Sequence, residues 1–256
     1  MYSRLFCTGI GLIAVYNNEH LRPNGAGIAI SNHMTPNDVQ ALFAAVPLGS
    51  SHGFVVTGQK HLGIIGAMQF LGGRICPTIW MERKSAVERR DFLEEVMKGV
   101  NEKSGVPILL FPEGYCSNNT QVLQFRRSIF KKGITIYPIA IKQDCRFGDS
   151  FWADEEFYMY LLRVMSSWAI SYDVTYLDKM CRFSQETEED FAARAQKVVS
   201  NFIGVPACEF SGLMWYRICG IPLSWTEKKW QKKEKKAGPG MFPLTDESAD
   251  KISTYY

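Results

Sequence analysis

A histidine and an aspartate with the spacing of a proton-transfer pair stand between a predicted strand and a predicted helix. His33 and Asp38 are five positions apart. An imidazole titrates close to neutral pH, and a carboxylate beside it can orient the ring and stabilise its protonated form. Such a pair can take a proton from an alcohol. The spacing therefore predicts acid–base catalysis at this turn, and the chain is interpreted as an enzyme.

The same segment has a second interpretation, as the cap of the helix that follows. Thr35 fits the N-cap position, Pro36 the first helical position and Asp38 the third, which is the pattern of a capping box. This interpretation leaves His33 without a role. The two are compatible, because a carboxylate in the first helical turn can also accept a hydrogen bond from the imidazole. We expect the cap to hold Asp38 beside His33.

A second polar cluster follows another apolar strand. Glu113 and Gly114 come directly after the predicted strand 107–111, and open α/β sheets usually bind ligands at the carboxyl ends of their strands. Arginines near these strand ends would suit a phosphate, because the guanidinium fork matches its oxygens. Taken singly, each arginine is more typical of a solvated surface. Together, these arginines near the strand ends predict a phosphate-binding pocket. The arginines are Arg83, Arg126 and Arg127.

The elements that position these clusters follow from hydrophobic patterning. Short apolar runs alternate with helical periodicity, which predicts an α/β fold with a mostly parallel or mixed central sheet flanked by helices. Strands are predicted at 11–16, 26–30, 53–57, 74–81, 107–111, 134–141 and 168–177. Helices are predicted at 36–46, 64–71, 85–103 and 191–202, the last one capped by Gly204.

Composition limits the possible classes of function. The chain has 256 residues, 46% of them apolar, and a net charge of +3, which is too small to indicate a nucleic-acid partner. Its seven cysteines contain no Cys-x-x-Cys pair, so we expect reduced thiols and neither a disulfide framework nor a metal site. No signal peptide or membrane-spanning segment is predicted, so we expect any membrane contact to be peripheral or to be made by sequence absent from this chain.

The composition changes towards the carboxyl end. We predict one domain over 1–226, followed by a basic segment and a disordered tail over 227–256. The basic segment has two interpretations that remain open. It is either a solvated helix face or a membrane-surface segment, because tryptophans at 215, 225 and 230 accompany its lysines.

The spaced motifs resemble those of the glycerolipid acyltransferase superfamily. The motifs are His33-x4-Asp38, the arginine of Trp80-Met81-Glu82-Arg83, the run Phe111-Pro112-Glu113-Gly114, and Pro138 in a later strand. A closer likeness covers residues 22–177 and is to the glycerol-3-phosphate acyltransferases of the endoplasmic reticulum. It is carried by the runs 107–114, 137–142, 147–152 and 160–170.

This resemblance implies a glycerol-phosphate acyltransferase-like fold and a reaction. A fatty acyl group would pass from acyl-CoA to the sn-1 hydroxyl of glycerol 3-phosphate, giving lysophosphatidate for phospholipid and triacylglycerol synthesis. Acyl-CoA is then a co-substrate, and no further cofactor or metal is expected because the thioester is already activated. The implied location is the cytosolic face of the endoplasmic reticulum membrane, with a peripheral attachment to the membrane surface.

The resemblance also implies a role for each site residue. His33 would be the general base, and Asp38 would orient its imidazole. Arg83 would bind the phosphate of the acceptor, while Glu113 and Gly114 would shape the acceptor site. Arg126 and Arg127 stand where this branch of the family carries lysines, and they would assist with the phosphate.

Two alternatives remain beside the main hypothesis. The same chemistry could act on lysophosphatidate or another lysophospholipid. The chain could also be a non-catalytic, membrane-associated module that keeps the fold. The second alternative is suggested by Tyr115, which occupies the place of a threonine in the family motif and brings a bulkier group to the acceptor site.

Overall fold

Seven strands run through the part of the chain that the computed structural model describes, which comprises residues 2–47, 53–60, 63–74, 76–81, 86–101, 105–152 and 157–218. Each of the predicted strands is confirmed, with its ends shifted by a few residues. In chain order they are β1 (Leu12–Asn17), β2 (Ile28–Ser31), β3 (Val55–Gln59), β4 (Thr78–Met81), β5 (Ile108–Leu110), β6 (Ile136–Asp144) and β7 (Ile170–Tyr176).

The helices that surround the strands include all four predicted ones, namely α2 (Asn37–Ala44), α3 (Gly63–Gly72), α4 (Ala86–Asn101) and α6 (Glu188–Ile203). Gly204 ends α6 in the left-handed conformation, as predicted, with a φ of 82°. Three further helices were not predicted, and they are α1 (Tyr2–Gly9), α5 (Phe157–Ser166) and α7 (Gly212–Ile218). Within the described residues, no helix combines the length and hydrophobicity that crossing a bilayer requires.

The strands form one mixed sheet in the order β1-β7-β6-β2-β5-β3-β4. Neighbouring strands are parallel except for β6 and β7, which are antiparallel. The predicted fold class is therefore confirmed. In this order β2 lies at the centre, between β5 and β6, and it is parallel to both. Its carboxyl end consequently meets those of both neighbours at one edge of the sheet.

The core lies on both faces of the sheet, because side chains alternate along each strand. Ile28 and Ile30 of β2 point to a cluster that includes α4 and α6. Ala29 points to the opposite cluster, which includes side chains of α1, α2 and α5. All four residues of β2 are buried, as expected for the central strand of a largely parallel sheet. The turn that follows β2 and carries His33 therefore starts from a rigid support.

Candidate active site

Two loops meet at the carboxyl edge of the central strands. His33 follows β2 by two residues, and Phe111 follows β5 directly. The imidazole and the phenyl ring stack, with their centroids 4.1 Å apart and an interplanar angle of 19°. The structure thus brings together the two clusters that the sequence placed at separate strand ends.

Asp38 holds the imidazole of His33 in one orientation. Nδ1 of His33 lies 3.0 Å from Oδ2 of Asp38. Because an ionised carboxylate only accepts hydrogen bonds, Nδ1 carries the proton in this pair, and Nε2 is the nitrogen that can accept another. The His33 side chain is 17% exposed, whereas that of Asp38 is fully buried. This geometry is that of a general base with its orienting partner.

The predicted helix cap is present in part. The Asp38 carboxylate accepts the backbone N–H of Thr35 at 3.0 Å, which is one half of a capping box, and that of Met34 at 2.7 Å. The other half is replaced, because the Thr35 hydroxyl is hydrogen-bonded to the hydroxyl of Tyr160 on α5. The helix begins at Asn37. The backbone of Thr35 therefore fixes the Asp38 carboxylate, and Tyr160 of α5 fixes the Thr35 side chain.

A tyrosine of β7 contacts the other oxygen of the Asp38 carboxylate. The hydroxyl of Tyr172 donates a hydrogen bond to Oδ1 of Asp38 at 2.9 Å, and it lies 2.6 Å from Oγ of Ser150. Sequence reasoning missed Tyr172, because 134 positions separate it from Asp38. No local pattern could have indicated this contact, which depends on β7 and the turn after β2 meeting in the folded chain.

Cys116 is a second functional neighbour that sequence reasoning missed. Burial alone would lower the pKa of His33. Cys116, through its charge and a hydrogen bond, and Asp38, through a hydrogen bond and its charge, outweigh that effect and raise the pKa of His33 to about 10. The signal was available, since Cys116 follows the Glu113-Gly114 pair by two residues and so lies on the same loop.

Glu113 is turned towards the protein backbone. Its Oε1 accepts the backbone N–H of His33 at 2.8 Å, and its Oε2 accepts that of Leu123 at 2.9 Å. The side chain is 1% exposed, and burial raises the pKa of Glu113 to about 8, although the two backbone hydrogen bonds and the charge of His33 oppose this shift. Glu113 therefore ties the loop after β5 to the loop after β2.

Gly114 and Arg126 are in direct contact. Gly114 has a φ of 69°, and a Cβ added there would come within 2.5 Å of the Arg126 guanidinium carbon. The absence of a side chain lets the guanidinium lie against the backbone of the Glu113 loop. The structure thus places Arg126 against the loop that carries Glu113 and Gly114, and its predicted role as a phosphate ligand remains a prediction.

The ring of Tyr115 lies between Arg126 and α7. The Arg126 guanidinium carbon is 5.7 Å from the centroid of this ring, a distance typical of a cation–π contact. On the other side the ring packs against Gly212 and Tyr216 of α7, with the two tyrosine ring centroids 5.2 Å apart. Tyr115 therefore links the loop of Glu113 and Gly114 to α7, a short helix that the sequence did not predict.

Two of the predicted site residues are not brought to this cluster by the described structure. Arg127, in the turn Arg127–Ile129, forms an ion pair with Glu189 in the first turn of α6. Arg83 lies outside the described residues, as do the basic segment and the tail predicted over 227–256. Their predicted roles remain predictions.

The carboxylates of the site are engaged within the protein. Asp38 and Glu113 both accept backbone N–H groups of the two loops. Over the residues for which the structure gives positions, no three His, Cys, Asp or Glu side chains gather as ligands for a metal ion. His33, with its imidazole oriented by Asp38, can transfer a proton at this site.

Comparison with known proteins gives a consistent result. The Acyltransferase family matches over residues 12–142. Glycerol-3-phosphate acyltransferase 4 of Mus musculus is 38% identical over 202 residues, which cover 78% of this chain and 43% of the relative. Glycerol-3-phosphate acyltransferase 3 of Danio rerio is 34% identical over 241 residues, which cover 93% of this chain and 51% of the relative. The chain spans about half the length of these curated relatives.

A solved structure shares the fold. The crystal structure of the 1-acyl-sn-glycerophosphate (LPA) acyltransferase PlsC from Thermotoga maritima aligns with a TM-score of 0.52 and 18% sequence identity. The alignment covers 79% of this chain and 76% of that one. At this level of identity the match supports the fold of the sheet and its flanking helices.

Proposed function

The chain belongs to the Acyltransferase family, and from this premise we propose that it transfers a fatty acyl group from acyl-CoA to the sn-1 hydroxyl of glycerol 3-phosphate. The observation that carries the proposal is the His33–Asp38 pair, with its 3.0 Å contact, at the carboxyl edge of the central strands. The choice of acceptor is supported by relatives that are named glycerol-3-phosphate acyltransferases. The product would be lysophosphatidate, a precursor of phospholipids and triacylglycerols.

The reaction needs one proton to move twice. Nε2 of His33 accepts the proton of the acceptor hydroxyl while the hydroxyl oxygen attacks the thioester carbonyl carbon. Asp38 stabilises the imidazolium that forms. When the tetrahedral intermediate collapses, the carbon–sulfur bond breaks, and the imidazolium returns the proton to the sulfur of CoA. The thioester supplies the activation, so the proposal includes no further cofactor.

The phosphate of the acceptor would be bound by arginine. Arg126 supports this part of the proposal, because its guanidinium lies against Gly114, on the loop that Glu113 ties to His33. Arg83 is proposed as a second phosphate ligand from its motif alone. A guanidinium fork can bind two phosphate oxygens at once, which would also orient the hydroxyl towards His33.

The test is a transfer assay with an acceptor panel. Purified full chain is incubated with labelled acyl-CoA and either glycerol 3-phosphate or lysophosphatidate. We expect product from glycerol 3-phosphate, and a rate that falls about 10²- to 10⁴-fold in His33→Ala. His20→Ala, at an exposed histidine, is the matched control and should keep the wild-type rate. Product from lysophosphatidate alone would overturn the choice of acceptor, and no product from either acceptor would overturn the proposed activity.

We further propose that the chain works at a membrane surface, on the cytosolic face of the endoplasmic reticulum. The support is a set of exposed apolar side chains on α5 and just after it. Their exposures are 61% for Tyr158, 59% for Leu162, 59% for Met165 and 94% for Trp168. Both the acyl donor and the product are amphiphilic, and an exposed tryptophan is typical of side chains that lie at the headgroup level of a bilayer.

A further inference from the structure

We propose that Tyr172 is a positioning residue of the reaction, which fixes the Asp38 carboxylate from the side opposite to His33. This inference rests on the proposed function, since it assigns a role in the proton transfer at His33. It adds a residue of β7, beyond the matched region 12–142, to a pair that lies in the turn after β2.

The first step of the argument is how the two carboxylate oxygens of Asp38 are used. Oδ2 accepts Nδ1–H of His33 together with the backbone N–H groups of Met34 and Thr35. Oδ1 accepts the hydroxyl of Tyr172 at 2.9 Å. The local turn therefore fixes one oxygen, and a distant strand fixes the other. A carboxylate held at both oxygens cannot rotate about its Cβ–Cγ bond, so Oδ2 stays directed at the imidazole.

The second step is the direction of the Tyr172 proton. Because the Asp38 carboxylate can only accept, the phenolic hydrogen is committed to Oδ1. The Ser150 hydroxyl lies 2.6 Å from the Tyr172 hydroxyl and donates its own hydrogen to the side-chain oxygen of Gln143. Gln143 of β6 holds Ser150 in turn, because its side-chain oxygen accepts the Ser150 backbone N–H at 3.3 Å. The hydroxyl is thus oriented by a chain of contacts that runs into the sheet.

The third step is that the Tyr172 hydroxyl keeps its proton. Tyr172 is 1% exposed, and burial, followed by the negative charge of Asp38, raises the pKa of Tyr172 well above its usual value. The hydroxyl therefore stays protonated wherever the enzyme works. By donating to Oδ1 it withdraws negative charge from the carboxylate, which weakens the pull of Asp38 on the imidazole proton. Tyr172 should thus set both the orientation of His33 and its affinity for a proton.

Other groups that can titrate also face this pair, and they must stay unchanged in the test. Cys116 and Asp38 act on the imidazole directly, Glu113 is hydrogen-bonded to the backbone N–H of His33, and Tyr160 is bound to the Thr35 hydroxyl. A substitution confined to the Tyr172 hydroxyl leaves all of them in place.

The test compares two identical substitutions on one strand. Tyr172→Phe removes only the hydroxyl that Asp38 accepts. Tyr176→Phe is the matched control, because Tyr176 is four positions along β7, is also 1% exposed, and has its ring against Arg22. We expect kcat to fall roughly 10- to 100-fold in Tyr172→Phe, the scale on which loss of a supporting hydrogen bond acts, with little change in KM for either substrate. The rising limb of the pH profile should also move to higher pH in Tyr172→Phe, because the Asp38 carboxylate regains negative charge and raises the pKa of His33.

A second measurement separates this inference from the proposed function. The chain has only four histidines, so the His33 imidazole can be followed through a pH titration by NMR in the intact protein, with His33→Ala for assignment. We expect its titration to move to higher pH in Tyr172→Phe and to stay in place in Tyr176→Phe. If the wild type transfers no acyl group but the His33 titration still moves in Tyr172→Phe, the proposed function is overturned and the positioning contact is supported.

The inference is overturned if Tyr172→Phe matches Tyr176→Phe in both kcat and the His33 titration. If Tyr172→Phe does not fold, Ser150→Ala replaces it, because that variant removes the hydroxyl that contacts the Tyr172 hydroxyl. A smaller shift of the His33 titration in the same direction would then support the contact, and an unchanged titration would overturn it.

Discussion

At the scale of single residues, the imidazole of His33 is constrained at Nδ1 and on one face of the ring, while Nε2 remains available to accept a proton. Asp38 fixes its Nδ1, and the ring of Phe111 lies against its face. Glu113 accepts the backbone N–H of His33, and Cys116 contributes to the raised pKa of the imidazole. A base that is held this firmly needs little reorganisation when the proton moves, which favours catalysis.

The pH dependence of transfer follows from the raised pKa of His33. The base must be unprotonated, so the rising limb of kcat/KM against pH should lie above 6.5, the pKa of an ordinary histidine. Cys116→Ala removes an interaction that raises the pKa of His33, and the limb should therefore move to lower pH. Cys145→Ala, at an exposed cysteine, should leave it in place. A wild-type limb at or below 6.5, or one that does not move in Cys116→Ala, would contradict this assignment.

Glu113→Gln tests the tie between the two loops. An amide offers one acceptor oxygen and one NH2 group, so one of the backbone N–H groups of His33 and Leu123 would face a donor. We expect the free energy of unfolding to fall by about 1–3 kcal/mol, the cost of an unsatisfied buried donor, and the transfer rate to fall with it. Urea unfolding measures the first effect. Glu94→Gln, at a 72% exposed position on α4, is the control, and an equal loss in both variants would contradict a specific tie.

The His33–Asp38 pair could be predicted from the sequence, but the contact of Tyr172 with Asp38 could not. His33 and Asp38 are five positions apart, so one turn of chain brings them together and their spacing carries the signal. Tyr172 reaches Asp38 only through the pairing of distant strands, which local spacing does not encode. Arg126 and Arg127 show the same limit, because neighbouring side chains of the same type point to Gly114 and to Glu189 respectively.

At the scale of elements, the strands were predictable because their residues form short apolar runs that end in turns. α5 was not predicted, although its sequence, which is rich in apolar residues, has a clear helical periodicity. The structure gives the reason for this composition. Tyr160 and Val164 are buried on the inner side of α5, while Leu162 and Met165 are exposed on the outer side. An outer face of this kind departs from the pattern of a soluble helix.

α7 gives an element-scale prediction through its contact with Tyr115. A Cβ at Gly212 would come within 2.5 Å of the Tyr115 ring, so Gly212→Ala should displace the ring and, with it, the Arg126 guanidinium. If Arg126 binds the acceptor phosphate, KM for glycerol 3-phosphate should rise about 2- to 30-fold, which corresponds to the 0.5–2 kcal/mol of a cation–π contact. KM for acyl-CoA should stay unchanged.

The control for this prediction is Gly9→Ala in α1, where an added Cβ meets nothing within 4 Å. It should leave both KM values as in the wild type. Equal changes in the two KM values of Gly212→Ala would show that α7 acts on the whole site and has no particular effect on the acceptor.

At the scale of the whole molecule, the two faces of the sheet differ. On one face, the inner side of α5 contacts the turn that carries His33, because the Tyr160 hydroxyl contacts both Thr35 and Asn37. The outer side of the same helix is apolar and exposed. On the other face, α6 carries charged and polar residues outwards and exposes Phe202 at 52%. If the protein works at a membrane, the first face would bring the turn that carries His33 within one helix of the lipid surface.

The prediction that follows compares these two faces in the full chain. Leu162→Asp with Met165→Asp places two charges on the outer side of α5, and Phe202→Asp places one on α6. Because burying a large apolar side chain contributes about 1.5–3 kcal/mol, the α5 variant should bind phosphatidylcholine vesicles at least about 10-fold more weakly in a flotation assay. Phe202→Asp should bind as the wild type does, and transfer with a short-chain, water-soluble acyl-CoA should continue in both variants, because His33 and Asp38 are untouched. Equal binding by the α5 variant and Phe202→Asp would rule out α5 as the membrane face and leave the segment beyond residue 218 as the next one to test.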